Sequence, residues 1–514
     1  MSRGKTLALA ASLLLVLNII SRVTGFIREM VIAKAFGATA IADAYIVATT
    51  IPTTIYQIGA YSLVAVMVPV FLEYEGKGQT DEAWRVSNII LNTLSVIMIA
   101  IVCLGWLFAP LIVRLFAPGF AEGTYQLAVY LTRIMMPSLL FMTIGALCSS
   151  FLNSRNRFAV AASAPIINNI FIILSALLLT KRFGVLGLAV GTLAGAFLFF
   201  AIQVPALFKL GFRYKPVAGF FHPGVRKAFG LLLPVTIGCA INQLYLIIDK
   251  VLASGLAEGS IAALTYANKV MQLPLNVFVL AVSSAFFPTM SKLAALDDRV
   301  GLASVLNQGL KIVTIVMLPA TAGLITLRQP IVKVLFERGM FDTTATQMTA
   351  LALMFFSLGI LGQAVNVMLT RGFFSIHDTR TPVYFTALTA AINIIFSLIL
   401  RKYLFHGGLA LSNSISASFT SLVMFLVLSR KIKGIFNRSF AQLIVKSFLC
   451  AIIMGYAVNL AWRFFAKLSM LTQLGASILV GLAVYFGIMG ILERKTLINL
   501  YKHIRVSRGT GVSV

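Results

Sequence analysis

The sequence predicts an all-α polytopic membrane protein of about fourteen transmembrane helices, in two pseudo-symmetric six-helix lobes with two additional C-terminal helices. Three observations predict this fold class. The 514 residues are 59% hydrophobic and only 11% charged. Apolar segments recur at a length of about 20 residues, which one membrane crossing requires. Motifs of the first half return in the second half at an offset of about 220 residues, as in transporters built from internal repeats.

The apolar segments define the helices in chain order. Several exceed one crossing and contain proline, so we expect them to be kinked or to extend beyond the membrane. The prolines concerned are Pro52, Pro69, Pro137, Pro234, Pro274, Pro288 and Pro319. The predicted helices cover residues 7–35, 41–71, 87–117, 126–152, 158–180, 185–208, 228–252, 261–290, 309–336, 346–374, 382–400, 407–430, 441–466 and 470–492.

The repeat divides the chain. LFAPGF at 115–120 returns as LFERGMF at 335–341, and Asn169 corresponds roughly to Asn393. Because an even number of helices separates equivalent positions, the two lobes should share one topology, related by an axis along the membrane normal. We assign helices 1–6 to an N-lobe at 1–220, helices 7–12 to a C-lobe at 221–435, and helices 13–14 with a basic cytoplasmic tail to 436–514.

The chain is strongly basic, with 42 Lys and Arg against 15 Asp and Glu and a net charge of +27. In a soluble protein this would suggest nucleic acid, but cytoplasmic loops of membrane proteins collect Lys and Arg. We therefore expect no nucleic-acid partner. If the N-terminus lies inside, the cytoplasmic segments contain most of the basic residues, so we place both termini in the cytoplasm. The apolar run from Leu7 lacks a cleavage site and is expected to stay in the mature protein. The four cysteines lack metal-ligand spacing, so neither a disulfide nor a metal site is expected.

The stretch 18–37 carries polar side chains along one face of an apolar helix: Asn18, Ser21, Arg22, Gly25, Arg28 and Glu29. An intramembrane arginine is costly unless it meets water, a partner or an anion, so this face predicts the wall of a polar cavity. The alternative is an arginine pair near the helix end that reaches the membrane interface, with Glu29 as its neutraliser. Since sequence neighbours do not face each other on a helix, we expect Glu29 to bridge to another helix, for instance at Lys269.

Basic residues outnumber acids on the leading helices of both lobes: Arg22, Arg28, Lys34 and Lys269 against Glu29, Asp43 and Asp249. Such a cavity favours an anion, and guanidinium groups suit phosphate. No nucleotide-binding loop is present, so an ion gradient, the membrane potential or the substrate gradient would supply energy.

Asp249 has two interpretations. It is either a cation ligand or proton carrier, or it lies at the outer helix end, neutralised by Lys250. Thr389 and Asn393 lie four residues apart on one helical face and could provide oxygen ligands for sodium beside Asp249. Alone, such residues more often form hydrogen bonds between helices.

Several motifs together resemble the MurJ family, the bacterial lipid II flippases of the MOP exporter superfamily: SRVTGFIRE at 21–29, AFGA at 35–38, ADAYIVA at 42–48, APGF at 117–120, LNSRNRF at 152–158 and FFSIHDTRTP at 373–382. The resemblance covers the whole chain. It implies a protein of the bacterial cytoplasmic membrane that moves undecaprenyl-diphosphate-linked disaccharide pentapeptide from the inner to the outer leaflet. This step serves peptidoglycan biosynthesis, cell wall biogenesis and cell shape.

The resemblance also implies site residues. The central cationic site maps to Arg22, Arg28, Glu29, Asp43 and Lys269, and a sodium site maps to Asp249, Thr389 and Asn393. Ser21, on the polar face of the first helix, is added as a further candidate for substrate binding. The partners implied are lipid II and membrane lipids, with no cofactor and a monomeric protein. Helices 13 and 14 would form a groove for the lipid tail. Many members have an arginine pair at Tyr56-Gln57, a carboxylate at Tyr61 and Asp-Arg at Asn268-Lys269, so the site in this chain has fewer charges.

Two alternatives account for less of the sequence. A cation-coupled drug antiporter should present acids to its substrate and needs no helices 13 and 14. A membrane enzyme acting on the same lipid needs catalytic groups at a membrane face, and the acids and histidines there form no recognisable cluster. The sequence therefore favours a flippase that works by alternating access through a central cationic cavity.

Overall fold

A computed structural model describes residues 3–217, 219, 222–435 and 437–493. Across these residues the regular structure is helical, without a strand, which confirms the all-α class. The helices are α1 (Arg3–Phe36), α2 (Ala40–Gly76), α3 (Thr80–Leu107), α4 (Ala109–Phe116), α5 (Glu122–Met135), α6 (Ser138–Ser154), α7 (Phe158–Leu178), α8 (Thr180–Ala201), α9 (Val204–Lys209), α10 (Pro223–Ser254), α11 (Ser260–Pro274), α12 (Leu280–Ala295), α13 (Arg299–Thr326), α14 (Arg328–Phe336), α15 (Thr343–Ser357), α16 (Ile360–Ser375), α17 (Arg380–Lys431), α18 (Arg438–Phe464) and α19 (Met470–Leu492).

Nine helical segments in the described part of the chain are long and apolar enough to cross a membrane, or ten if the pair α15 and α16, bent by 45°, counts as one span. A polytopic membrane protein is therefore confirmed. The count of fourteen crossings stays a prediction, as do the arrangement in lobes and the cytoplasmic position of the termini.

Several predicted kinks coincide with breaks in the helices. Pro137 separates α5 from α6, and Pro274 is followed by a π-helical turn, Leu275–Val279, that leads into α12. The 52 residues of α17 are interrupted at Phe405, whose φ is 51°. This break divides α17 into the segments 380–404 and 406–431.

The backbone supports the internal repeat. Apart from Gly339, each residue of positive φ in the described ranges has a counterpart 219 to 223 residues away in the chain. The pairs are Gly37 with Gly259, Gly78 with Asp297, Asn156 with His377, Gly184 with Phe405, and Gly211 with Gly434. Left-handed backbone is uncommon outside glycine, so its recurrence at nearly the same offset indicates that the two halves turn at similar places.

The chain forms two compact units. The first contains Met1–Ala262 and Arg338–Phe341, and the second contains Ala263–Glu337 and Asp342–Val514. Helix α10 falls in the first unit because it packs along α2. The predicted lobes, with boundaries at 220 and 435, follow the sequence repeat rather than packing, and they stay a prediction.

The first unit has an aromatic core between α2, α3 and α6. The Phe71 and Trp84 rings are 4.8 Å apart, and Phe151 and Phe212 pack against Trp84. The guanidinium of Arg155 lies 5.6 Å from the centre of the Phe71 ring. This core fixes one end of α2 and the loop after α6.

The second unit is built on close helix contacts through small residues. A Cβ atom at Gly362 of α16 would lie 2.7 Å from Ser418 Cα in α17. A Cβ at Gly359 would lie 2.5 Å from Ser414 Cα. Backbones can approach this closely only where side chains are small, as is common between membrane helices.

Candidate functional site

The predicted polar face of α1 becomes more buried along the helix. Arg22 is exposed and Ser21 is half-buried. The side chain of Arg28 is 25% exposed, whereas that of Glu29 is 11% exposed. Arg28 is therefore the predicted basic ligand that is both embedded in the first unit and still accessible.

Arg28 and Glu29 form an ion pair, with 2.7 Å between Arg28 Nη2 and Glu29 Oε1. The expectation that these sequence neighbours would not pair is wrong. Both side chains are long enough to curve around the helix surface, and burial favours a counter-ion for the guanidinium. Glu29 therefore neutralises Arg28, as in the alternative interpretation of an arginine pair near the helix end. The Arg28 side chain nevertheless stays partly exposed.

A third residue, Asn169 of α7, completes this polar cluster. Its Oδ1 accepts a hydrogen bond of 3.0 Å from Arg28 Nη1. Its Nδ2 donates to the Ser21 carbonyl oxygen at 3.3 Å and to Thr24 Oγ1 at 3.4 Å. Sequence reasoning missed Asn169 as a site residue. The available signal was a lone amide pair, Asn168-Asn169, within an otherwise apolar helix.

Asp43 is 4% exposed and lies at the start of α2. Its two carboxylate oxygens accept hydrogen bonds of 2.7 Å from the backbone N–H groups of Gly259 and Ala262. Gly259 directly precedes α11 and Ala262 lies in its first turn, where helix N–H groups lack partners within the helix. Asp43 therefore stabilises a helix end, and its predicted role as a substrate ligand stays a prediction.

Lys269, on α11, is exposed and belongs to the second unit, whereas the other predicted substrate ligands belong to the first. The convergence of all six on one cavity stays a prediction.

The predicted cation ligands are likewise divided between the units. Asp249 is half-buried in α10, where the neighbouring Lys250 donates a hydrogen bond to Thr50 Oγ1. In the second unit, Thr389 Oγ1 donates to Thr420 Oγ1 at 3.0 Å, and Asn393 is fully buried. This hydrogen bond of Thr389 fits the second possibility that the sequence left open, in which Thr389 joins helices rather than binds sodium.

The guanidinium of Arg28 has the hydrogen-bond donors that suit an anion. A guanidinium has five N–H donors in a fixed plane, and the contacts with Glu29 and Asn169 use one hydrogen on each terminal nitrogen. Among the described contacts, three N–H groups of the guanidinium then remain, and arginine forms strong charge-assisted hydrogen bonds to phosphate oxygens. In the described part of the chain, His, Cys, Asp and Glu form no group of three suited to a metal ion.

Comparison with known proteins gives consistent matches. A family model described as "Lipid II flippase MurJ" matches residues 32–477. A probable lipid II flippase MurJ from Vibrio cholerae is 32% identical over 415 residues, covering 78% of this chain and 79% of the relative. The lipid II flippase MurJ of Burkholderia cenocepacia is 29% identical over 503 residues, covering 93% and 96%.

Solved structures show the same likeness. A lipid II flippase MurJ in an inward closed conformation has a TM-score of 0.80 at 27% identity, covering 94% of this chain and 99% of that one. An inward-facing MATE multidrug transporter of the MOP superfamily has a TM-score of 0.69 at 16% identity, covering 83% and 98%. At this low identity, the second match shows a shared fold only.

Proposed function

This chain belongs to the MurJ family of lipid II flippases, and from that premise we propose that it moves lipid II across the cytoplasmic membrane by alternating access through a central cationic cavity. Members of this family are MOP-superfamily transporters rather than enzymes. The direction proposed is from the inner to the outer leaflet, where the precursor is used for peptidoglycan synthesis.

The partly exposed guanidinium of Arg28 is the observation that carries the proposal. A charge at the centre of the membrane costs about 2.5–3.5 kcal/mol on insertion scales, so Arg28 needs a compensating role. Glu29 and Asn169 fix the guanidinium but leave part of it accessible. A diphosphate-linked lipid has negative charge and pairs of oxygen atoms that accept two parallel hydrogen bonds from a planar guanidinium.

The other site residues are proposed in distinct roles. Arg22 and Lys269 add positive charge to the cavity, and Ser21 adds a hydroxyl on the same face of α1 as Arg28. Glu29 sets the position of the guanidinium through their ion pair. Asp43 supports the site indirectly, through its contact with the start of α11.

We further propose fourteen membrane crossings with both termini in the cytoplasm, and a protein that acts as a monomer. Helices α18 and α19 pack on each other through buried Met454 and Tyr485, while large apolar side chains such as Leu449, Leu471 and Leu479 are exposed. This apolar surface suits the polyprenyl tail of the substrate. The driving force proposed is a sodium gradient acting at Asp249, Thr389 and Asn393, or the membrane potential.

The proposal is tested by depleting the lipid II flippase of a bacterial host and supplying this gene in trans. The measurement is the amount of lipid II accessible to an external probe. The wild-type gene should restore accessibility, and Arg28→Ala should abolish it at equal protein level, because the site loses its embedded cation.

Arg133→Ala is the matched control, because it also removes an arginine from a membrane helix. The Arg133 guanidinium lies on the Trp106 ring, 5.0 Å from its centre, and its Nε donates to the Trp106 carbonyl oxygen. This variant should keep transport. Full accessibility with Arg28→Ala, or equal losses in both variants, would contradict the proposed site.

A further inference from the structure

We propose that Asn169 of α7 is a positioning residue, which holds the Arg28 guanidinium in the orientation that receives the substrate diphosphate. The inference rests on the proposed function and adds a residue to that site. Asn169 is 7% exposed, so it acts through Arg28 rather than as a major ligand surface of its own.

The hydrogen bonds of Asn169 fix which end of its amide meets the guanidinium. Thr24 Oγ1 donates to the carbonyl oxygens of Ile20 and Ser21, so it accepts from Asn169 Nδ2. With Nδ2 committed to α1 in this way, Oδ1 faces Arg28 Nη1 at 3.0 Å. The opposite orientation would place an N–H donor against a cation.

The two acceptors around Arg28 have different electrostatic effects. Glu29 neutralises part of the positive charge, whereas the Asn169 amide orients the guanidinium without adding a negative charge. Together they hold both terminal nitrogens. An arginine fixed in this way loses less side-chain entropy when it binds a phosphate group, so more of the binding energy is retained.

Local packing keeps Asn169 at this distance. Helix α1 packs along α7, and a Cβ atom at Gly25 would lie 3.4 Å from Asn169 Nδ2. A Cβ at Gly25 would thus be in van der Waals contact with the Asn169 amide, which shows that α1 and α7 lie close together at this point. The neighbour that lies beside Gly25 is the Asn169 amide.

Asn168 offers a matched control. It is the neighbouring residue on α7, is half-buried, and its Oδ1 lies toward Gly195 of α8, where an added Cβ would come within 2.6 Å of it. Asn168→Ala therefore removes an amide of the same kind from the same helix without touching Arg28.

The experiment measures the affinity of the full-length purified protein for lipid II in lipid nanodiscs, together with its thermal unfolding. Asn169→Ala should weaken binding about tenfold, the size of one lost orienting hydrogen bond to a charged group. Asn169→Asp should weaken it at least as much, because the new carboxylate neutralises Arg28. Asn168→Ala should bind as the wild type does.

A double-mutant cycle separates positioning from general helix packing. In an Arg28→Ala background, Asn169→Ala should produce no further loss of binding, because its partner is gone. Equal losses in both backgrounds would overturn the inference, as would wild-type affinity in Asn169→Ala. If the alanine variant does not fold, Asn169→Leu decides in the same way, because leucine has nearly the same size and lacks the amide oxygen that accepts from Arg28.

Failure of the proposed function gives a different result. A wild-type protein that folds but does not bind lipid II would overturn that function and this inference together. Wild-type binding with unchanged Asn169 variants would overturn the inference alone.

Discussion

Asn169 and Asn393 lie at roughly corresponding positions of the internal repeat, yet their surroundings differ in kind. In the first unit, Asn169 contacts the charged and partly exposed Arg28. In the second unit, Asn393 is fully buried on a helix whose neighbouring polar contacts join hydroxyl groups, such as Ser397 with Ser412 at 2.6 Å. Each unit thus has a polar interior, but the buried acidic side chains among the described residues, Glu29 and Asp43, lie in the first.

The difference shows that the repeat preserves backbone geometry more strictly than chemistry. Left-handed turns recur at nearly one offset throughout the described chain. The polar side chains between them are free to change, provided that each buried group is satisfied. We infer that the cluster around Arg28 serves ligand binding, whereas the hydroxyl cluster of α17 serves helix packing. Three predictions test this comparison.

The largest effect is expected from Gly362→Ala in the second unit. The new Cβ would lie 2.7 Å from Ser418 Cα, so α16 and the second segment of α17 must separate. We expect a loss of about 1–3 kcal/mol in unfolding free energy, as for overpacked cores. Thermal unfolding in detergent measures it, and transport per folded molecule should not change.

Gly475→Ala is the control for that substitution. A Cβ at Gly475 meets no atom within 4 Å, so this variant should be neutral or slightly stabilised through helix propensity. Equal stability of the two variants would show that the contact at Gly362 is not tight.

A smaller effect is expected from Ser397→Ala. The loss of its hydrogen bond with Ser412 should reduce stability by about 1 kcal/mol. Replacing both serines should cost less than the sum of the single changes, because the hydrogen bond that they share is lost only once. If Ser397→Ala had normal stability but lost transport, a packing role would be contradicted. The hydroxyl cluster of the second unit would then serve transport, as we infer for the Arg28 cluster of the first.

The smallest effect concerns the turns that precede α7 and α17, which contain the paired residues Asn156 and His377. In the second unit, Lys431 Nζ lies 2.5 Å from Asp378 Oδ2. Partial burial raises the pKa of Asp378, but hydrogen bonds from Lys431 and Thr381 outweigh it and lower that pKa to about 2.

Because this folded-state pKa is below the ordinary value of 3.8, the carboxylate stabilises the protein above about pH 4 and loses this effect as the pH falls toward 2. Asp378→Asn should therefore lower stability by less than about 1 kcal/mol, since the Lys431 side chain is 43% exposed. Thermal unfolding should show the same stability difference between Asp378→Asn and wild type at every pH from 8 to 5, because Asp378 stays ionised in this range. A difference that changes with pH in this range would contradict the lowered pKa of Asp378.

The sequence by itself determined the fold class, the repeat and the family. Hydropathy and recurring motifs are properties of contiguous segments, so they can be read without knowing which helices touch. The embedded position of Arg28 was predictable for the same reason, because its polar helical face is a local pattern.

Tertiary structure decided which groups meet. Arg28 and Asn169 are separated by 141 residues in the sequence, and only the packing of α1 on α7 brings them together. The pairing of Arg28 with Glu29 depends on side-chain conformation, which the neighbour rule for helices does not capture. The contact of Asp43 with the start of α11 likewise depends on how two distant turns pack. Periodicity places a side chain on a face, but what lies opposite that face is set by long-range packing.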